Sequence, residues 1–159
     1  MIFVTVGTRK EGFDRLVEWM DTVATDLEKE VIMQIGHTKT TPDNADWFRF
    51  KDDLEEIVEL TQQAEIVVGH GGAGTILTTL ETGTPIICVP RLEKYGENFD
   101  DHQLELTYKL QEKGTLVVAQ TQAELHQYLS QSPSEISTET TADLVPSLRK
   151  RLAELQREQ

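Results

Sequence analysis

The chain has a single cysteine, Cys88, so no intramolecular disulfide can staple it. Cys88 lies inside the apolar run Ile86-Ile87-Cys88-Val89, where a small buried hydrophobe is expected and a reactive thiol is not. No apolar run approaches the ~20 residues that span a bilayer. The opening Met1-Ile2-Phe3-Val4-Thr5-Val6 is too short for a secretion signal and lacks its basic leader. Positive charge is scarce: 15 Lys and Arg stand against 28 Asp and Glu, a formal net charge of −13. Bulk electrostatic attraction to nucleic acid or anionic lipid is excluded by that balance. Four scattered histidines make no metal-ligand spacing, and no Asp-x-Asp pair follows a strand as a metal clamp. These absences predict a cytoplasmic domain with no metal and no nucleic-acid partner. A lipid-bound substrate would have to be reached through another protein.

With 159 residues, 38% of them hydrophobic, the chain has enough apolar mass for one core. Strand-like and helix-like segments alternate almost to the end. Ile2–Val6, Val31–Ile35, Trp47–Phe50, Ile66–Val68, Ile86–Val89 and Leu116–Ala119 read as strands, mostly uncharged and rich in β-branched residues. Between them, Phe13, Leu16, Val17, Met20, Val23 and Ala24 recur at helical spacing, as do Leu54, Ile57, Val58 and Thr61. Further helices are expected near residues 75–82, over 102–113 with Gly114 as the C-cap, and over 124–129. Continuous apolar strands separated by helices predict an α/β fold, a doubly wound parallel sheet of Rossmann-like type. Residues 1–130 form this domain. Gln131–Thr141, rich in Ser, Thr, Gln and Glu, reads as a linker, and 142–159 as an amphipathic terminal helix with Leu144, Leu148, Leu152 and Leu155 on one face.

In such a fold ligands bind beyond the carboxyl ends of the strands. The segments expected there are Gly7-Thr8, Gly36-His37-Thr38, Gly69 to Thr75, and Pro90 to Asp101. Most informative is His70-Gly71-Gly72-Ala73-Gly74-Thr75, directly after a buried strand and opening a helix. Glycines let the backbone approach a ligand closely, and a helix N-terminus presents free N–H groups to a diphosphate. A Cβ at Gly72 or Gly74 would block that phosphate or strain the backbone. Gly7-Thr8-Arg9 offers a second small turn at the same edge, with Arg91 and Lys94 as cations near it. Glu81, farther along the helix, is placed to accept from ribose hydroxyls. Asp100-Asp101-His102-Gln103 can hydrogen-bond a sugar, and His102 can act as a base if an acceptor hydroxyl reaches it. His70 reads as a hydrogen-bond donor on the phosphate side, and His37 and His126 as surface residues. Each feature also has a plainer reading: a tight turn, a solvated Glu81, an ordinary N-cap by Asp100 or Asp101.

Taken together, Met1–Thr8, Phe13-Asp14-Arg15-Leu16, the His70–Thr75 turn, Glu81 with Gly83-Thr84-Pro85, and Arg91…Tyr95-Gly96-Glu97…Asp100–Leu106 resemble glycosyltransferase family 28 C-terminal domains over residues 1–130. The length is similar to free-standing catalytic subunits of two-component enzymes. These include the small subunit of the dolichol-pathway N-acetylglucosaminyltransferase and bacterial exopolysaccharide glycosyltransferase subunits. The resemblance implies the C-terminal, donor-binding half of a GT-B fold with a UDP-sugar as substrate and no resident cofactor. It assigns the diphosphate to Gly7, Thr8, Arg9 and His70, Gly71, Gly72, Ala73, Gly74 and Thr75, and the ribose to Glu81. The donor sugar falls to Asp101, His102 and Gln103, the last two as catalytic residues. It further implies a membrane-anchored acceptor-binding subunit, a lipid-linked sugar acceptor, and recruitment to the cytosolic face of a membrane. Two other functions fit the same residues: a non-catalytic nucleotide-sugar-binding scaffold, and a sugar-nucleotide epimerase-like protein.

Overall fold

The computed structural model describes residues 1–97, 102–137 and 144–157. Six parallel strands form one sheet in the order β3-β2-β1-β4-β5-β6. They are β1 (Ile2–Thr5), β2 (Val31–Gln34), β3 (Asp46–Phe48), β4 (Ile66–Gly69), β5 (Ile86–Cys88) and β6 (Val117–Val118). Val4 of β1 is in register with Met33 of β2 on one side and Val68 of β4 on the other. β1, β2, β4 and β5 are buried almost throughout, as expected of strands covered on both faces.

Alternation along each strand divides the core in two. Ile2, Val4, Ile66 and Val68 face α1 (Asp14–Ala24), α5 (Gln122–Leu129) and α6 (Pro133–Ile136), packing with Leu16, Met20, Leu125 and Ile136. Phe3, Val67, Ile86 and Cys88 face the other way, toward α2 (Leu54–Gln63), α3 (Ala73–Thr82), α4 (His102–Glu112) and α7 (Leu144–Arg157). Cys88 is fully buried, and burial alone pushes its thiol pKa up to about 12, so it is an inert hydrophobe.

Two expectations need correction. The third strand ends at Phe48, and Trp47 on it stays 42% exposed because β3 is an edge strand with no neighbour beyond. The stretch expected as a linker from Gln131 begins as folded structure. Ser132 and Glu135 form a capping box around a single turn with Pro at its start, and Ile136 is 1% exposed in the core. Residues 138–143 lie outside the described part. The terminal helix packs on α3 with Leu144, Val145 and Leu148 in the second core cluster. The side chains of Leu152 and Leu155 lie outside the described part.

From the centre the chain winds outward in both directions: β1 to β2 and β3, then β4 to β5 and β6. The switch point falls between β1 and β4, and the crevice beyond their carboxyl ends is where such folds take ligands. Gly7 leaves β1 there and His70 leaves β4 there.

Candidate functional site

The two turns at the switch point are built around left-handed glycines, Gly7 (φ 76) and Gly71 (φ 78). Residues with a Cβ rarely adopt such angles. Gly72 has an ordinary φ of −67, so backbone strain is not what a substitution there would cause. Its constraint is packing: the imidazole of His70 fills the space where a Gly72 Cβ would stand. Gly71 is backed by Thr107, buried on α4, which seats that helix against the turn.

The Gly7 turn is tethered from beneath. Gly7 N–H donates to Thr5 Oγ at 3.3 Å, and the Thr5 hydroxyl in turn donates to Gln34 Oε1 on β2. Arg91, on the loop after β5 and only 3% exposed, donates to the Val6 carbonyl at 2.7 Å and to the Gly12 carbonyl. Phe13 N–H donates to Thr38 Oγ at 2.9 Å, joining the segment Gly7–Phe13 to the turn after β2. Arg49 holds that turn through the carbonyls of Gly36 and Thr38, at 3.0 and 2.8 Å. Arg15 forms a bidentate pair with Glu97 at 2.8 and 2.7 Å and donates to the Pro90 carbonyl, fixing the loop after β5 to α1. Arg91 and Arg15 are therefore engaged by the protein itself. Through these bonds both support the turns.

The opening of α3 is organised differently. Its N-cap residue Gly72 provides no side-chain cap, and no acidic residue stands in its first turn. The first N–H groups of a helix lack intrahelical partners and carry partial positive charge. At Gly74 nothing lies within 4 Å of an added Cβ, and its φ is not left-handed. Glycine costs roughly 0.5–1 kcal/mol relative to alanine inside a helix. Nothing within the described protein explains that cost at Gly74.

Two guanidinium groups act on the His70 ring despite the acidic chain. Burial first, then the guanidinium groups of Arg91 and Arg9, lower the His70 pKa to about 4, so the ring is neutral at physiological pH. Burial also lowers Arg91 to about 10, with Arg9 adding to the effect, and Arg91 stays charged. The carboxylates of Glu97 and Glu11 act on Arg91 in the opposite sense.

Gly7, Thr8, Arg9, His70, Gly71, Gly72, Ala73, Gly74 and Thr75 thus converge on one edge of the sheet. Thr8 and Gly74 are exposed and Arg9 is half-buried. Glu81 lies farther along the same helix. It sits in the last turn of α3, where Arg149 of α7 donates to its Oε1, from Nε at 2.7 Å. Eight residues of helix separate it from Ala73, a rise of ~12 Å along the axis. Asp101 lies outside the described residues. His102 and Gln103 open α4, and their side chains lie outside the described part. Sequence reading missed Gln34 and Arg49, which carry no local signal beyond their position at or just past a strand's carboxyl end.

The family model for the glycosyltransferase family 28 C-terminal domain matches residues 1–154. The chain belongs to this family. The human UDP-N-acetylglucosamine transferase subunit ALG13 (Homo sapiens) is 36% identical over 129 residues, covering 72% of this chain and 10% of that protein. The chain therefore spans about a tenth of the length of the curated relatives it matches. Among solved structures, the glycotransferase of kitacinnamycin superposes with a TM-score of 0.64 at 21% identity, over 99% of this chain and 42% of that one. The solution structure of ALG13 gives 0.62 at 19% identity, over 95% and 94%. Both share the fold, here the Rossmann-like half of a GT-B glycosyltransferase. Among the described residues, no helix is long and apolar enough to cross a membrane, and no cluster of three or more His, Cys, Asp or Glu could hold a metal ion.

Proposed function

We propose that this family 28 domain is the donor-binding catalytic subunit of an inverting glycosyltransferase that takes a UDP-sugar, UDP-N-acetylglucosamine first among the candidates. The observation that carries the reading is the uncapped start of α3 with its unexplained Gly74, facing the Gly7 turn across the β1–β4 switch point. A diphosphate lying there accepts from the free N–H groups of α3 and meets the positive potential around Arg9. As the acceptor hydroxyl attacks the anomeric carbon, the glycosyl–phosphate bond breaks and charge grows on the departing UDP, where these donors stabilise it without a covalent intermediate. The neutral His70 is unsuited to balance that charge. His102 and Gln103 remain the proposed sugar-side and catalytic residues. No metal is assigned a part, and no resident cofactor is needed. The choice of donor rests on the name of the ALG13 relative, a UDP-N-acetylglucosamine transferase subunit.

The word subunit in that name also supports a second chain that holds the acceptor, proposed to be membrane-anchored and to present a lipid-linked sugar on the cytosolic face. Calorimetric titration with UDP-N-acetylglucosamine, UDP-glucose and UDP-glucuronate tests the donor reading. Micromolar binding of the first, with the others at least tenfold weaker, is the expected outcome. Absence of binding by all three would refute it. Transfer assays with the partner, comparing Gln103→Ala with the parent, separate a catalytic subunit from a scaffold.

A further inference from the structure

The glycines of both turns press on one side chain. The His70 ring stands with Nε2 2.1 Å from where a Cβ on Gly72 would be, and with Cε1 2.7 Å from where a Cβ on Gly7 would be. Real Cβ atoms do not approach so near. The Nδ1 atom of the ring is buried with no hydrogen-bond partner among the described residues.

We infer that His70 is a positioning residue: its imidazole is the spacer that sets the gap between the Gly7 turn after β1 and the Gly71–Gly72 turn after β4, and so the shape of the cradle offered to a nucleoside diphosphate. The ligand class rests on the function proposed above; the spacer itself rests on the packing alone. The ring stands between the two turns at the switch point, carried by the residue that follows β4. Gly7 and Gly72 are required by the ring, whereas Gly74 is left for the ligand. The charged groups facing the ring are Arg91 from the loop after β5 and Arg9 from the loop after β1, both cations. Their repulsion and the burial keep the ring neutral, so the positive potential at the cradle comes from the arginines and the backbone.

A double-mutant cycle tests this without any ligand. Gly72→Ala alone should lower the melting temperature by several degrees, because the methyl meets a ring that fills its space. In the background of His70→Ala the same Gly72→Ala substitution should cost at most half as much, since the space is then vacant. Strictly additive losses would overturn the spacer. If His70→Ala does not fold, the cycle is run with His70→Asn, whose shorter side chain leaves the same space. Binding of UDP-N-acetylglucosamine supplies the readout that bulk stability would not move. His70→Ala, while folded, should bind at least tenfold more weakly. The parent's affinity should stay flat from pH 8 to pH 5.5. A rise in affinity on acidification that disappears in His70→Ala would make the ring a charged ligand and overturn the inference. If the parent binds no nucleotide-sugar, the functional reading falls, and the stability cycle still decides the spacer.

Discussion

Gly74→Ala separates ligand from scaffold more cleanly than any other single change in this protein. Among the described residues the added methyl meets nothing within 4 Å. The residue has helical geometry at the second position of α3. Replacing glycine by alanine at such a site removes unfolded-state freedom and adds helix propensity, a gain of ~0.5–1 kcal/mol. In a domain of about this size, 1 kcal/mol shifts the melting temperature by roughly 2–4 °C. The variant should therefore melt ~1–4 °C higher than the parent when no ligand is present. With a diphosphate seated on the α3 N-terminus, the same methyl intrudes between the helix and the phosphate. UDP should bind at least tenfold more weakly, a loss of ~1.4 kcal/mol or more. Differential scanning fluorimetry with and without UDP reads both effects in one experiment, because a ligand that binds only the folded state raises its stability by mass action. A variant that is stabilised yet binds UDP as tightly as the parent would show that no ligand approaches Gly74. A destabilised variant would show a scaffold reason for this glycine and remove its support for a ligand.

Acid should weaken the fold through His70. Its pKa is depressed from 6.5 to about 4 in the folded chain, so the unfolded chain binds the extra proton first. Stability is then intact above pH 6.5 and falls as pH drops from 6.5 toward 4, by at most ~3 kcal/mol for this group. Urea titrations at pH 7 and pH 5 should show that loss in the parent and a smaller one in His70→Gln; equal losses would refute the assignment. Arg91→Lys should cost about 2 kcal/mol in the same titrations, since one ammonium cannot serve the Val6 and Gly12 carbonyls together. UDP affinity should fall with it as the Gly7 turn loosens, and an unchanged midpoint would contradict that bridge. Glu81→Ala and Arg149→Ala should each cost less than ~1 kcal/mol, because the pair lies at the surface with side chains 34% and 63% exposed. A ribose role for Glu81 additionally requires weaker UDP binding in Glu81→Ala but not in Arg149→Ala, and equal affinity in all three proteins would place the ribose elsewhere.

Local pattern in the sequence was sufficient for the architecture. Uncharged β-branched strands such as Ile66-Val67-Val68 can only be doubly covered, and the 3.6-residue recurrence of Leu16, Val17, Met20 and Val23 can only be one buried helix face. Alternation of the two, with Gly after β1 and Gly-Gly after β4, placed both turns at one edge before any coordinates. Cys88 was legible as a core residue for the same reason. What stayed hidden depends on contacts between distant positions. Arg91 reads as a loop cation, yet its partners Gly12 and Val6 lie 79 and 85 residues away, and their carbonyls draw it into the interior. Glu81 reads as solvent-facing or ligand-facing until α7, 68 residues on, brings Arg149 to it. Ile136 sits in a polar stretch that looks like a tether, and one turn of helix carries it into the core. Gly72 and Gly74 are indistinguishable as letters in a glycine-rich run. Only the tertiary structure separates them, because one faces the imidazole of His70 and the other meets nothing among the described residues. Periodicity is a property of neighbours along the chain, whereas burial of a charge and the room around a glycine are set by whatever the fold brings alongside.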